Sequence, residues 1–372
     1  MSSSATTTNL LGLPRPALEA FVAQLGSRPF RTRQLMQWVY KRREPSFERM
    51  TDLAKEFRAK LAECASVQPP EIIATQRSAD GTRKWLLRAD GSQAFEMVYI
   101  PEPDRATLCI SSQVGCALDC AFCSTAQQGF NRNLTTAEIV GQVWLANREL
   151  SGTVVDLARE RAVTNVVLMG MGEPLANFRN VVPALDILLD DFGFDLSRRR
   201  VTLSTSGLVP QIYKLAECSN VALAVSLHAP DDALRNELVP INRRHPIAEL
   251  LEACWHYIDE RNGRSVTFEY VLLDAVNDSR AQARALAKLL AGRPAKVNLI
   301  PFNPFPGTRF CRSPPAAVQQ FRDELIHRGV LATVRRTRGE DIDAACGQLA
   351  GRVLDRTTVR LGSRTFGLAV QA

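Results

Sequence analysis

The sequence predicts an α/β protein organised around a parallel sheet. Two observations carry this expectation. Six short apolar runs, 106–111, 165–169, 201–204, 221–226, 267–272 and 296–300, alternate with amphipathic stretches near 135–150, 178–191, 208–217, 246–262 and 279–291. Parallel strands need such crossovers, and the crossover helices cover the sheet faces. Small and polar residues also gather directly after the runs, at the carboxyl ends of strands, where parallel α/β folds assemble their sites. The pattern is compatible with an open, doubly wound sheet and with one curled into a barrel.

The elements follow in order. Residues 1–9 are rich in Ser and Thr and read as a disordered tail. Residues 10–68 read as a small helical module of helix-hairpin-helix type. Leu18, Phe21, Val22 and Leu25, then Leu35, Trp38, Val39 and Tyr40, recur at helical spacing, with Gly26 and Pro29 breaking between them. Residues 69–104 read as a small β linker unit, in which apolar runs flank the turn signal Ala89-Asp90-Gly91-Ser92. The α/β body is expected over 105–330 and a C-terminal extension over 331–372.

Composition narrows the function classes. Hydrophobic residues make up 45% and charged residues 23%, as in an ordinary globular protein. No apolar run approaches the roughly 18 residues a membrane helix needs. The first residues lack the basic start and apolar stretch of a secretory signal. A cytoplasmic, reducing location is therefore expected, where cysteines are metal-binding or catalytic rather than a disulfide framework. The net charge of +7, with basic clusters at 28–43, 198–200, 243–244 and 335–338, suits a polyanionic partner.

The densest chemistry is Cys116-Ala117-Leu118-Asp119-Cys120-Ala121-Phe122-Cys123, following the first predicted strand. Structural zinc takes four ligands, and four-iron clusters commonly use four cysteines. Three thiolates on one loop would leave one iron with an open position for a substrate or cofactor. Gly172-Glu173 follows the second strand, where the glycine permits close backbone approach and the carboxylate can accept from an ammonium. Cys109 and Cys346 are further candidates. Either could be a small buried apolar residue, but Cys346 lies in a small-residue, glycine-flanked segment that reads as a mobile loop, where a thiolate could act as a nucleophile.

The cysteine spacing resembles the signature of the radical S-adenosylmethionine superfamily. The resemblance sharpens in the strings 107–116, 169–174, 298–304 and 337–349, which are similar to the RlmN family of RNA methyl synthases. It implies a partial (β/α)6 TIM-like barrel. Cys116, Cys120 and Cys123 would ligate a [4Fe–4S] cluster, with S-adenosylmethionine chelating the open iron. Gly172 and Glu173 would hold its amino group, and Ser204, Ser226, Leu227, His228 and Asn303 would contact the rest. Each of Ser204, Ser226 and Asn303 could equally cap a helix. His228 could be a base, a hydrogen-bonded structural histidine, or a residue whose backbone meets the adenine.

The same resemblance implies two S-adenosylmethionine molecules per turnover. One methylates Cys346. The other yields a deoxyadenosyl radical that takes hydrogen from the S-methyl group, and the methylene radical adds to C2 of adenine. Cys109 then resolves the adduct through a transient disulfide, with Glu96 as proton acceptor. The implied substrates are 23S rRNA, as a protein-poor precursor, and tRNA, unstacked at the target base. The implied electron donor is a flavodoxin or ferredoxin, and a monomer is expected. Phe30, Trp38 and Tyr40 of the basic front module are candidate exposed aromatics for RNA. The alternatives are a Cfr-like sister activity at adenine C8, a radical enzyme acting on a small molecule, and a cluster- or zinc-bearing RNA-binding protein.

Overall fold

A computed structural model describes residues 7–150, 162–260 and 265–357. Residues 1–6, most of the expected tail, and 358–372 of the expected C-terminal extension lie outside the described residues.

One sheet of ten strands organises the chain, and its strands follow in sequence order without the first pairing with the last. They are β1 Ile72–Arg77, β2 Arg83–Arg88, β3 Ala94–Pro101, β4 Ala106–Cys109, β5 Asn165–Leu168, β6 Val201–Thr205, β7 Ala222–Ser226, β8 Val266–Leu272, β9 Ala295–Pro301 and β10 Leu331–Val334. From β4 to β10 every neighbour pair is parallel. This is the open arc of a partial barrel. Helices Thr136–Glu149, Phe178–Leu189, Val209–Cys218, Ile247–Glu260, Arg280–Leu290 and Pro315–His327 make the longer crossovers. Their starts are chemically marked: Thr135 with Glu138, and Ser279 with Gln282, form reciprocal capping boxes.

All six expected strands are present. The sheet has a seventh parallel strand, β10, at the start of what reads as a C-terminal extension. Its four residues alternate in burial, so the run carries almost no apolar signal. The hairpin β2–β3 forms as its turn predicts, with Arg88 opposite Ala94. It is continuous with the barrel, since β3 pairs antiparallel with β4.

The front of the chain forms three helices, Arg15–Gln24, Phe30–Met36 and Lys55–Cys64. Thr8–Asn9, expected within the disordered tail, instead pair in parallel with Ala65–Ser66. This module is tied to the barrel. The Trp144 indole N–H donates to the Val39 carbonyl at 2.7 Å. Arg15 grips Asp190 with a two-point fork of 2.7 and 2.6 Å. Trp38 and Tyr40 are not exposed aromatics: they are 8% and 3% exposed, whereas Phe30 is 49% exposed. Helical spacing alone could not assign them. Trp38 turns its N–H to Asp52, and Tyr40 packs on Phe194. Among the described residues no helix is long and apolar enough to cross a membrane.

Candidate active site

The carboxyl ends of the parallel strands open into a cavity of about 130 Å³. Cys116, Cys120 and Cys123 form part of its wall, and Cys346, more than 200 residues later, faces the same space. The cysteine loop is folded by its glycines. Gly115 sits at φ +82, and a Cβ there would lie 2.0 Å from the Gly129 carbonyl oxygen, which accepts from the Cys116 N–H at 2.7 Å.

Burial dominates the electrostatics. It pushes the Cys116 thiol well above its ordinary value and Cys120 up to about 12, with the neighbouring cysteine sulfurs adding in the same sense; it raises Cys123 as well. Soft donors of which two are buried and one half-buried are costly to ionise together without a compensating cation. Among the described residues no group of His, Cys, Asp or Glu converges to hold a single metal ion. A cluster presents a separate iron to each thiolate, so its ligands need not converge. The donor set therefore fits an iron–sulfur cluster better than one closed ion.

Gly172 and Glu173 lie on the same wall. Gly172 has φ +99, and a Cβ there would meet Gln113 Cβ at 2.5 Å. Glu173 is buried; its two oxygens accept from the Leu175 N–H at 3.1 Å and the Ser206 N–H at 2.8 Å. Desolvation nonetheless raises it to about 7. A carboxylate held this way would gain from an incoming ammonium.

Ser204, Ser226 and His228 also face the cavity, and no helix in the described residues uses these serines as a cap. His228 Nδ1 accepts from the Val271 N–H at 3.0 Å, and burial, assisted by Arg235, lowers it to about 3. The ring is therefore neutral, which leaves it no role as a base near neutral pH. Leu227 is fully buried behind the wall and contributes backbone only, donating to the Glu269 carbonyl. Asn303 does not line this cavity. Its Nδ2 donates to the Cys346 carbonyl at 3.3 Å, and its Oδ1 accepts from Arg312 and Thr337.

The cysteine-bearing segment is docked against the barrel. Ser124 N–H donates to the Gly347 carbonyl, Thr125 Oγ1 to the Leu349 carbonyl, and Gln348 Nε2 to the Pro304 carbonyl. Glu96 is buried on β3. Its Oε1 lies 3.2 Å from Lys84 Nζ, and its Oε2 accepts from the Ala350 N–H at 3.0 Å. Glu96 and Cys109 share one sheet face, because Val98 pairs with Cys109. Cys109 is pushed up to about 12, mainly by burial and then by the charge of Cys346.

Sequence reasoning missed three residues here. Buried Arg235 ties the strand ends together, donating to the carbonyls of Ser206, Ser226 and Leu227 and to Asn242. Glu269 lines the cavity, and Arg335 sits beside Cys109 and Cys346. Arg335 lay within a recognised basic cluster, but only the fold separates it from exposed Arg336 and from Arg338, which pairs with Asp80.

Comparison with known proteins adds independent findings. Residues 8–67 match the ribosomal RNA large subunit methyltransferase N-terminal domain, and residues 110–287 match the radical SAM superfamily. A protein from Alkalilimnicola ehrlichii named dual-specificity RNA methyltransferase RlmN is 56% identical, covering 94% of this chain and 95% of that one. The crystal structure of a radical SAM methyltransferase from Sphaerobacter thermophilus is 46% identical, with a TM-score of 0.85, over 92% of this chain and 99% of the other.

Proposed function

The chain belongs to the RlmN family of radical S-adenosylmethionine methyltransferases, and on that premise we propose that it methylates C2 of adenosine in 23S rRNA and in tRNA by way of Cys346. A [4Fe–4S] cluster and S-adenosylmethionine go with the family. We propose that Cys116, Cys120 and Cys123 hold the cluster, and that Gly172, Glu173, Ser204 and Ser226 receive S-adenosylmethionine. Bound there, the pair supplies the one-electron chemistry that draws a hydrogen atom from a methyl group.

The chain's own groups do the rest. Cys346 carries the methyl group. The supporting observation is that it shares one cavity wall with the three cysteines of the loop. Cys109 waits behind it on β4. Its attack on the Cys346 sulfur forms an S–S bond and breaks the bond from that sulfur to the methylene carbon. The carbon takes up a proton to become the methyl group of the released base, the extra electron of the radical adduct passes back to the electron-donor system, and a thiol reductant restores both thiols. Glu96 takes the proton from C2. Its Lys84 partner and the Ala350 N–H fix its orientation. His228 remains a neutral hydrogen-bond acceptor. Asn303 supports the Cys346 segment through the Cys346 carbonyl.

Adenine C2 is a poor nucleophile, so a carbon radical on an enzyme sulfur is a chemically sound way to reach it. Exposed Arg28, Phe30, Arg33 and Arg42 on the front module are suited to phosphates and unstacked bases. We further propose a monomer acting in the cytoplasm with a flavodoxin- or ferredoxin-type donor and two S-adenosylmethionine molecules per turnover.

The test is nucleoside mass spectrometry of tRNA and of a 23S rRNA fragment after anaerobic incubation with reconstituted protein, reductant and S-adenosylmethionine. C2-methyladenosine is expected, and none from Cys346→Ala. Methylation at C8 would assign the sister activity. Cofactor cleavage with no RNA product would remove RNA as the substrate.

A further inference from the structure

Glu269 and Arg335 have no part in the reaction as described above, yet both lie beside Cys346. Glu269 stands on β8 and Arg335 immediately follows β10. The strand register aligns Glu269, Asn298 and Thr333 in one row across β8, β9 and β10. Asn298 Nδ2 donates to Glu269 Oε2 at 2.7 Å, and Thr333 Oγ1 donates to Asn298 Oδ1 at 3.3 Å. Glu269 is thereby aimed into the cavity that Cys346 faces. No donor among the described residues meets its Oε1.

Arg335 lies two residues beyond Thr333, on the same strand face. Its backbone N–H is used by the Leu299 carbonyl, but its guanidinium makes no hydrogen bond or ion pair among the described residues. It lines a small second cavity on the far side of Cys346. Cys346, Glu269, Cys109 and Glu102 are the charges it feels. A guanidinium with no partner among the described residues, beside a half-buried sulfur, invites an anion there.

Resting on the assignment of Cys346 as the methyl carrier, we propose that Glu269 takes the Cys346 thiol proton and that Arg335 sits as counter-ion to the thiolate left behind. The S–H bond of Cys346 breaks and an O–H bond forms on Glu269. The thiolate attacks the sulfonium methyl group of S-adenosylmethionine. One S–CH3 bond forms, the sulfonium S–CH3 bond breaks, and S-adenosylhomocysteine leaves. The proton passes from Glu269 to water when the site next opens.

Charge bookkeeping favours this pairing. Burial disfavours the Cys346 thiolate, Arg335 favours it, and the charges of Glu269 and Cys123 oppose it. Moving the proton onto Glu269 removes one opposing charge at the moment the thiolate appears. The net charge of the three groups is unchanged, so no ion is created in the low-dielectric interior. Burial itself raises Glu269, which helps it keep the proton.

The experiment uses reconstituted holoprotein whose Cys346 is verified as a free thiol by peptide mass. Iodoacetamide alkylation is followed against pH by peptide-resolved mass spectrometry, with exposed Cys311 as internal reference. Arg335→Met is expected to slow Cys346 alkylation near neutral pH by about tenfold, as one unit of upward midpoint shift implies, and Arg335→Lys to restore most of it. Glu269→Gln is expected to do the opposite in this assay and speed alkylation. With S-adenosylmethionine bound over Cys346, solvent no longer takes the thiol proton and an internal base is needed, so the same variant should slow S-methylation of Cys346 by about tenfold or more. That opposed pair of effects is not what a merely structural residue produces.

Unchanged alkylation in Arg335→Met, with wild-type circular dichroism and melting, overturns the counter-ion role. Wild-type S-methylation in Glu269→Gln overturns the proton transfer. A wild-type Cys346 that is never methylated overturns the methyl-carrier assignment itself, and with it this step, whatever the alkylation shows.

Discussion

Replacing His228 by Asn should remove a specific acid sensitivity from the folded protein. His228 is buried, its Nδ1 accepts from the Val271 N–H, and its ring meets Phe122 edge-on with centroids 4.5 Å apart. Burial first, and then Arg235, lowers it to about 3 from an ordinary 6.5. Between these values the unfolded chain binds a proton that the folded one refuses. Stability from this group is thus complete above pH 6.5 and is lost as pH falls towards 3. At pH 5 the loss is the gap of one and a half units, or about 2 kcal/mol at 1.36 kcal/mol per unit. Asn tolerates the left-handed backbone at this position, where φ is +60. It leaves the Val271 N–H unpaired, at a pH-independent cost of about 1–3 kcal/mol. Urea unfolding of both proteins at pH 7 and pH 5 separates the two effects. The wild type should lose about 2 kcal/mol more between those pH values than the variant. Equal losses would show that this imidazole is already charged in the folded state, and the neutral-acceptor role would fall.

Other perturbations test other parts of the site. Gly172→Ala forces a side chain into φ +99 and against Gln113, so it should destabilise the fold by about 2–4 kcal/mol and abolish S-adenosylmethionine binding, read by melting and by equilibrium dialysis. Trp144→Phe removes the indole donor from the Val39 carbonyl; it should cost about 1–3 kcal/mol and increase hydrogen exchange in residues 8–67 before the barrel responds. Cys109→Ala removes the resolving thiol, so denaturing gels should show protein covalently joined to tRNA; free methylated product at the wild-type rate would refute that role.

Much of the α/β frame was legible because burial on both faces writes near-continuous apolar runs into parallel strands, as in Ala222–Ser226 and Val266–Leu272. β10 was hidden for the converse reason: Leu331 and Thr333 are exposed on an edge strand. Trp38 shows the limit of periodicity, which marks one face of a helix but not whether that face meets protein or RNA. The cysteine loop, Gly172-Glu173 and the serines were readable because each sits at or just beyond the carboxyl end of a strand. Arg235 and Glu269 were not, since a lone Arg on a helix or a lone Glu in a strand has no signature until the fold buries it.

What the sequence determined by itself was the chemistry held in short spans: three thiols on one loop, the strand and helix periods, the caps, and the glycines at turns. Those depend on neighbours within a few residues, whose geometry the chain imposes locally. Only the tertiary structure decided that Cys346 returns across more than 200 residues to face the cysteine loop, that Asn303 donates to the Cys346 carbonyl, and that the Arg335 guanidinium, which has no hydrogen-bond or ion-pair partner among the described residues, lies near Cys109 and Cys346. Burial, charge proximity and cavity shape arise from segments far apart in the chain, and those are the quantities that determine which side chains can react.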